Sequence, residues 1–242
     1  MTSAGDPGPT RPWVVLQHVE HEGPGAIADV LTAAGIEWRT VRLDRGEHLP
    51  AVGDLSGLVV MGGPMSVHDE DQYSWLVPER DLLGAAVTSG LPVLGICLGA
   101  QQMAAALGAE VTTGVEPEVG AGHITLTDSG RRDPVFGPEY RGLSGTTVPC
   151  VHWHQDTFTL PEGAVHLAAT RTTPHQAFRV GSAAYGLQFH IEIDTDLATQ
   201  WRPWLPDGVG LTDVEVAAVA SAGRRILGRF VDVSIAAGRY ST

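Results

Sequence analysis

The sequence predicts an α/β fold of three layers: a mostly parallel central sheet, helices on both faces, and an antiparallel or mixed extension. Three observations predict it. Short apolar runs alternate with helical stretches through the first half of the chain. The helical stretches close on glycine, a common helix stop. In the second half, strand-like runs follow one another with little helix between them. Strands spaced by helices favour right-handed βαβ units and a sheet buried on both faces, and strands without helices favour antiparallel neighbours.

In order, Trp13–Gln17 (WVVLQ) reads as a buried strand, Ala26–Ala34 as a helix ended by Gly35, and Glu37–Leu43 as a strand. Leu58–Met61 (LVVM) reads as a buried strand closed by Gly62-Gly63-Pro64, and Trp75–Ser89 as a helix closed by Gly90. Pro92–Ile96 is a strand that runs into an Ala-rich helix, Gly99–Leu107. Ala109–Thr113, His123–Thr127, Val165–Thr170, Gln176–Val180 and Ala183–Phe189 read as strands, and Val214–Asp232 as a long helix. The polar, Gly/Pro-rich residues 1–11 are expected to be a flexible tail. Residues 12–242 then form a single domain.

Composition excludes several function classes. The chain has 242 residues, 43% apolar and 18% charged, as a globular protein does. A net charge of −13 repels a phosphate polyanion, so no nucleic-acid partner is expected. No apolar run reaches the roughly 20 residues that span a bilayer, so no membrane partner is expected. With no signal-peptide pattern and two cysteines, Cys97 and Cys150, a reducing cytoplasm is the expected setting. The sequence contains no lysine, which removes a P-loop lysine and a Schiff-base lysine. GPGAIA at Gly23–Ala28 begins too late after the first strand for a dinucleotide-binding turn. No cofactor is expected.

The chemistry centres on LPVLGICLGAQQ, Leu91–Gln102. An apolar strand runs through Gly95-Ile96-Cys97-Leu98-Gly99 into a helix, and glycines on both sides of a nucleophile are what a strained strand-to-helix elbow requires. The elbow lifts Cys97 above the sheet and sets its sulfur at a helix N-terminus, with its partial positive charge. Cys150, in TVPCVHW, has no such frame and reads as a packing residue.

A cysteine that attacks an amide needs a histidine to protonate the departing nitrogen. Among ten histidines, His190 in GLQFHIE stands at a strand end, and Glu192 two residues on falls on the same side to orient the ring. His152 and His154, in VHWHQD, could present two imidazoles on one face, but nothing nearby suggests a third metal ligand, so they read as a polar pocket wall and no metal is expected. The remaining histidines read as solvated or hydrogen-bonded structural groups. Met61-Gly62-Gly63-Pro64 after a buried strand can turn bare N–H groups toward a ligand, and Gly63 with Leu98 would make a two-donor oxyanion hole.

Three segments in this order, MGGP at Met61–Pro64, GICLGAQ at Gly95–Gln101 and GLQFHIE at Gly186–Glu192, resemble the class I (triad) glutamine amidotransferases. The resemblance runs from about Trp13 to Asp194 and is closest to stand-alone members akin to the glutaminase domain of GMP synthetase. EGPGAIADVL and WHQDTF resemble that subgroup as well. It implies a flavodoxin-like three-layer fold and a triad of Cys97, His190 and Glu192, with oxyanion donors at Gly63 and Leu98. It also implies a substrate pocket holding Gly62, Gln101, His154, Gln155 and Asp156. The family's H-P-E is H-I-E here, and its S-H-G-D-like stretch is W-H-Q-D, with bulkier Trp153 and Gln155.

The implied reaction is hydrolysis of a γ-glutamyl amide through a cysteine thioester. The substrate is glutamine or a γ-glutamyl compound, and ammonia could pass to a separate synthetase partner. A γ-glutamyl peptidase or hydrolase acting on a conjugate uses the same site, and a non-catalytic binding or regulatory module that keeps the fold is a third reading.

Overall fold

The computed structural model describes residues 11–140 and 146–238. Of the expected tail, 1–11, all but Arg11 lies outside the described residues. One nine-stranded sheet runs in the order β2-β1-β3-β4-β9-β8-β7-β5-β6. Strands β1 (Trp13–Gln17), β2 (Trp38–Arg42), β3 (Gly57–Val60), β4 (Val93–Ile96) and β9 (Ala184–Leu187) are parallel neighbours. Beyond β9 the pairing turns antiparallel through β8 (Ala177–Val180), β7 (Val165–Ala169), β5 (Val111–Leu126) and β6 (Thr147–Phe158). The mostly parallel sheet with an antiparallel extension is the expected one.

Alternation along the strands builds two cores. Trp13 and Val15 of β1, Val59 of β3 and Leu94 and Ile96 of β4 face one side. There they meet α1 (Ala26–Ala33) and α5 (Asp213–Gly238) through Ile27, Leu31, Ile226, Leu227 and Phe230. Val14, Leu16, Leu58, Val60 and Val93 face the other side. They pack on α2 (Leu76–Thr88) and α3 (Leu98–Ala106) through Leu82, Leu83, Ala86 and Met103. A period of two that buries both faces is what makes these strands read as unbroken apolar runs. Phe230 is 2% exposed and meets Trp13 and Tyr185 edge-on, at 5.9 and 5.8 Å between centroids. Phe230→Ala is expected to lower stability by about 3–5 kcal/mol in urea unfolding, because both the transferred surface and the cavity count against the fold.

Three expectations are corrected. Ala109–Thr113 and His123–Thr127 are not separate strands but parts of β5, sixteen residues long, with a register shift between Thr113 and Glu118. Exposed Glu116 and Pro117 and the glycines Gly114, Gly120 and Gly122 break the alternation that marks a strand. Its partner β6 had no strand assigned, because polar His152, His154, Gln155 and Asp156 and Pro149 hide it. A short helix, α4 (Thr195–Trp201), follows His190 and is capped by the Asp194 carboxylate, which accepts from the Leu197 N–H at 2.8 Å.

Candidate active site

The parallel strands end on one edge of the sheet, and sharp turns there collect the candidate residues. Cleft-forming loops at the carboxyl ends of parallel strands are the usual ligand position in such sheets. β4 stops at Ile96, Cys97 takes φ 50 and ψ −106, and α3 starts at Leu98. Cys97 is the one non-glycine residue with positive φ among the described residues, a conformation that costs roughly 1–3 kcal/mol. Its flanking glycines are forced by packing. A Cβ on Gly99 would strike the Val60 carbonyl, and one on Gly95 would lie 2.6 Å from the Gly99 carbonyl. Cys97 itself is 5% exposed, with its sulfur 3.7 Å from both the Gln188 side-chain nitrogen and the Trp153 carbonyl oxygen.

His190 leaves β9 by a bend and is pinned to Val151 of β6 by paired backbone bonds of 2.8 and 3.0 Å. Its Nδ1 donates to Glu192 Oε1 at 2.7 Å, and Trp201 meets the ring edge-to-face with 4.7 Å between centroids. Burial alone would lower the His190 pKa. The Glu192 charge, the hydrogen bond to it and the neighbouring Cys97 sulfur outweigh burial and hold it well above 6.5. Gly62 stands against both groups: a Cβ there would come 3.0 Å from His190 Cε1 and 3.5 Å from Cys97 Cβ.

Each residue singled out from the sequence has a definite place. A cleft of about 440 Å³ beside Cys97 is lined by Gly63, Gln101, His154, Gln155 and Asp156, together with Ser66, Asp69 and Trp153. Gln101 donates to the Asp156 carbonyl at 3.1 Å and to Gln188 Oε1 at 3.2 Å. The Asp156 carboxylate accepts from Ser66 at 2.8 Å and Thr113 at 3.0 Å. Leu98 opens α3 beside Gly63, where a Cβ would lie 3.1 Å from Leu98 Cδ2. Gly62 lies behind the cleft, between Glu22 and His190. A second cleft, of about 420 Å³, lies by Trp13, Ile36, Ser56 and Pro92, away from Cys97.

Sequence reasoning missed four residues. His18 had no supporting frame, yet it is fully buried. It is hydrogen-bonded to the Gly62 carbonyl and to Glu79 Oε1, each at 2.8 Å, and stacks on Trp75 at 5.0 Å. Burial would lower its pKa, but Glu79 and the Gly62 carbonyl raise it above the ordinary value. This pair braces the Gly62-Gly63 turn from behind. Glu79→Ala is expected to cost about 3–5 kcal/mol in chemical denaturation, because His18 is left buried without its partner.

Glu22 is the second missed residue. It is buried against Gly62, and burial raises its pKa while His190 and His18 pull it back down. Gln188, the third, sits inside GLQFHIE but needs the fold to show that it reaches the sulfur. The fourth, Glu118, comes from β5, where it pairs with His154. The expectation of no third ligand-type group near His152 and His154 is therefore overturned. His68, His166 and His175 each bond a backbone carbonyl, as structural histidines do. Cys150 is fully buried and unbridged.

Fold and site together define an α/β protein with a cysteine elbow facing a buried histidine–glutamate pair. The family described as "Glutamine amidotransferase class-I" matches residues 25–200, and the chain belongs to that family. It is 35% identical over 183 residues to the glutamine amidotransferase-like protein YfeJ of Salmonella typhimurium, covering 74% of each chain. It is 38% identical over 147 residues to the glutamine-hydrolysing GMP synthase of Porphyromonas gingivalis, matching 58% of this chain but only 26% of that one. A crystal structure of a glutamine amidotransferase from Methylobacillus flagellatus superposes with a TM-score of 0.81 at 27% identity, covering 92% of this chain and 95% of that chain.

Proposed function

We propose that this protein hydrolyses the γ-amide of glutamine or of a glutamine-like compound through a thioester on Cys97. The observation that carries the reading is the strained Cys97, at φ 50, held beside the buried His190–Glu192 pair. A costly backbone conformation at a nucleophile is kept where it aims the side chain.

In the first half-reaction the Cys97 thiolate attacks the γ-carbonyl carbon, and the carbonyl electrons move onto oxygen between the N–H groups of Gly63 and Leu98. His190 gives its Nε2 proton to the amide nitrogen as the C–N bond breaks, and ammonia or an amine leaves. In the second half-reaction His190 takes a proton from water, the hydroxide attacks the thioester, the C–S bond breaks, and the γ-carboxylate departs. Glu192 holds the ring at Nδ1 throughout, so that Nε2 carries the travelling proton. Gln101, His154, Gln155 and Asp156 bind the glutamyl end. The buried, unbridged Cys97 and Cys150 suit a reducing cytoplasm. Among the described residues, no helix is long and apolar enough to cross a membrane.

In the first form of this reading, glutamine is the substrate and a separate synthetase takes the ammonia. The size of the cleft favours a second form, hydrolysis of a γ-glutamyl conjugate. About 440 Å³ bounded by Trp153 and Gln155 leaves room for a leaving group larger than ammonia. Incubation of the protein with glutamine and with a panel of γ-glutamyl amines and peptides tests both. Glutamate release from at least one of them is expected. Ammonia release from glutamine that rises with a synthetase present supports the first form, and fast cleavage of one conjugate supports the second. No turnover of any member of the panel would refute the proposal.

A further inference from the structure

We propose that Glu118, His152 and His154 form a binding site for a divalent transition-metal ion, with zinc the best fit, behind the wall of the Cys97 cleft. The three side chains each offer one ligand atom, and these atoms lie within 4.8 Å of one another. A tetrahedral zinc with bonds of about 2.0–2.2 Å sets its ligands about 3.3 Å apart, so small side-chain rotations close the site. Two imidazoles and one carboxylate leave a fourth position open. This ligand set suits zinc and neighbouring late first-row metals and disfavours calcium and magnesium, which demand oxygen.

The hydrogen bonds around the cluster prepare it for a cation. His152 and His154 are 6% and 7% exposed, and His152 Nδ1 is buried with no hydrogen-bond partner. A bare buried ring nitrogen is costly unless something accepts its lone pair. His154 Nδ1 is spent on the Asp156 carbonyl at 3.1 Å, which fixes the ring and turns Nε2 toward Glu118 Oε2, 3.1 Å away. Glu118 is itself oriented, since the Thr172 hydroxyl donates to Oε1 at 2.6 Å and the Gln176 amide donates to Oε2. Such outer partners are typical of metal ligands. Gly122, on the facing strand, makes room for the ring: a Cβ there would lie 2.8 Å from His152 Cδ2.

The site is separate from the thiol chemistry. Neither Glu118 nor His152 lines the cleft, and only His154 is shared with it. A bound ion would tie β5 to β6 just beyond the register shift between Thr113 and Glu118.

The test is a titration of chelator-stripped full-length protein with zinc chloride against a competing chelator, with metal counted after dialysis. It is run in a Cys97→Ala background, so that the nucleophile cannot bind the ion. One zinc per chain is expected there. Glu118→Gln and His152→Gln should each weaken binding by more than about 100-fold, and Thr172→Val, at an exposed position, by about 10-fold. Cobalt(II) bound to the Cys97→Ala chain provides a check that keeps all three proposed ligands: visible bands of a four-coordinate site without a thiolate charge-transfer band are expected. The proposal is overturned if the Cys97→Ala chain retains no zinc, if the Glu118 and His152 variants bind as tightly as their parent, or if the cobalt spectrum shows thiolate ligation.

Discussion

Replacement of Cys97 by alanine is expected to lower hydrolysis of the best γ-glutamyl substrate by at least about 10⁴-fold, since removal of a nucleophile acting as part of a unit leaves only binding and oxyanion stabilisation. The fold should persist. Cysteine to alanine removes only one buried sulfur, and the elbow is held by backbone bonds that the change leaves in place, with the Cys97 N–H on the Leu187 carbonyl at 2.7 Å and the Gly99 N–H on the Met61 carbonyl at 3.2 Å. Circular dichroism and a thermal melt check the fold, and a glutamate-release assay checks the activity. Cys150→Ala is the internal control, expected to leave turnover nearly intact because that thiol is buried away from the cleft.

The second large effect is expected from Glu192→Gln, about 10⁴-fold in turnover, by analogy with the loss of an orienting carboxylate in other triads. The carboxylate accepts the Nδ1 proton at 2.7 Å, whereas an amide can present its N–H there and reverse the tautomer. The same change alters the pH profile. Burial pushes the His190 pKa down, and Glu192 more than offsets it, leaving the value well above 6.5. A group whose pKa is raised on folding adds stability that is fully present below its unfolded value. That stability is lost as pH rises through the folded value. The stability of the native protein should therefore fall as pH climbs above 6.5 through the raised His190 pKa, and Glu192→Gln should move that fall to lower pH. Urea midpoints collected across the pH range measure both.

Local signals made the parallel half of the fold legible. WVVLQ, LVVM and PVLGI are strands buried on both faces, so they read as continuous apolar runs, and the last two run into a glycine-marked turn or elbow. The candidate residues Cys97, His190 and Glu192 were legible for a similar reason. Each lies in a short segment whose spacing carries its geometry. The β5–β6 hairpin was not legible, because its polar inner residues and glycines serve the cleft wall and depart from strand alternation.

The same limit applies to His18, Glu22, Gln188 and Glu118. No residue beside His18 in the chain marks it as a brace, since its partners, Gly62 and Glu79, arrive only when β1, the Gly62-Gly63 turn and α2 come together. Glu118 reaches His154 through strand pairing, and a register shift lies between it and Thr113, so counting along the sequence could not have matched the two. The rule that failed at these positions was locality.

The covalent intermediate tests the central claim most directly. The protein is mixed with its best γ-glutamyl substrate, quenched in acid within the turnover time, and analysed as intact protein and as peptides by mass spectrometry. A single added γ-glutamyl group is expected, carried by the peptide that contains Cys97 and absent from the Cys97→Ala chain. Turnover without such an adduct in the quenched chain, or with the adduct on Cys150, would contradict the assignment of Cys97 as nucleophile.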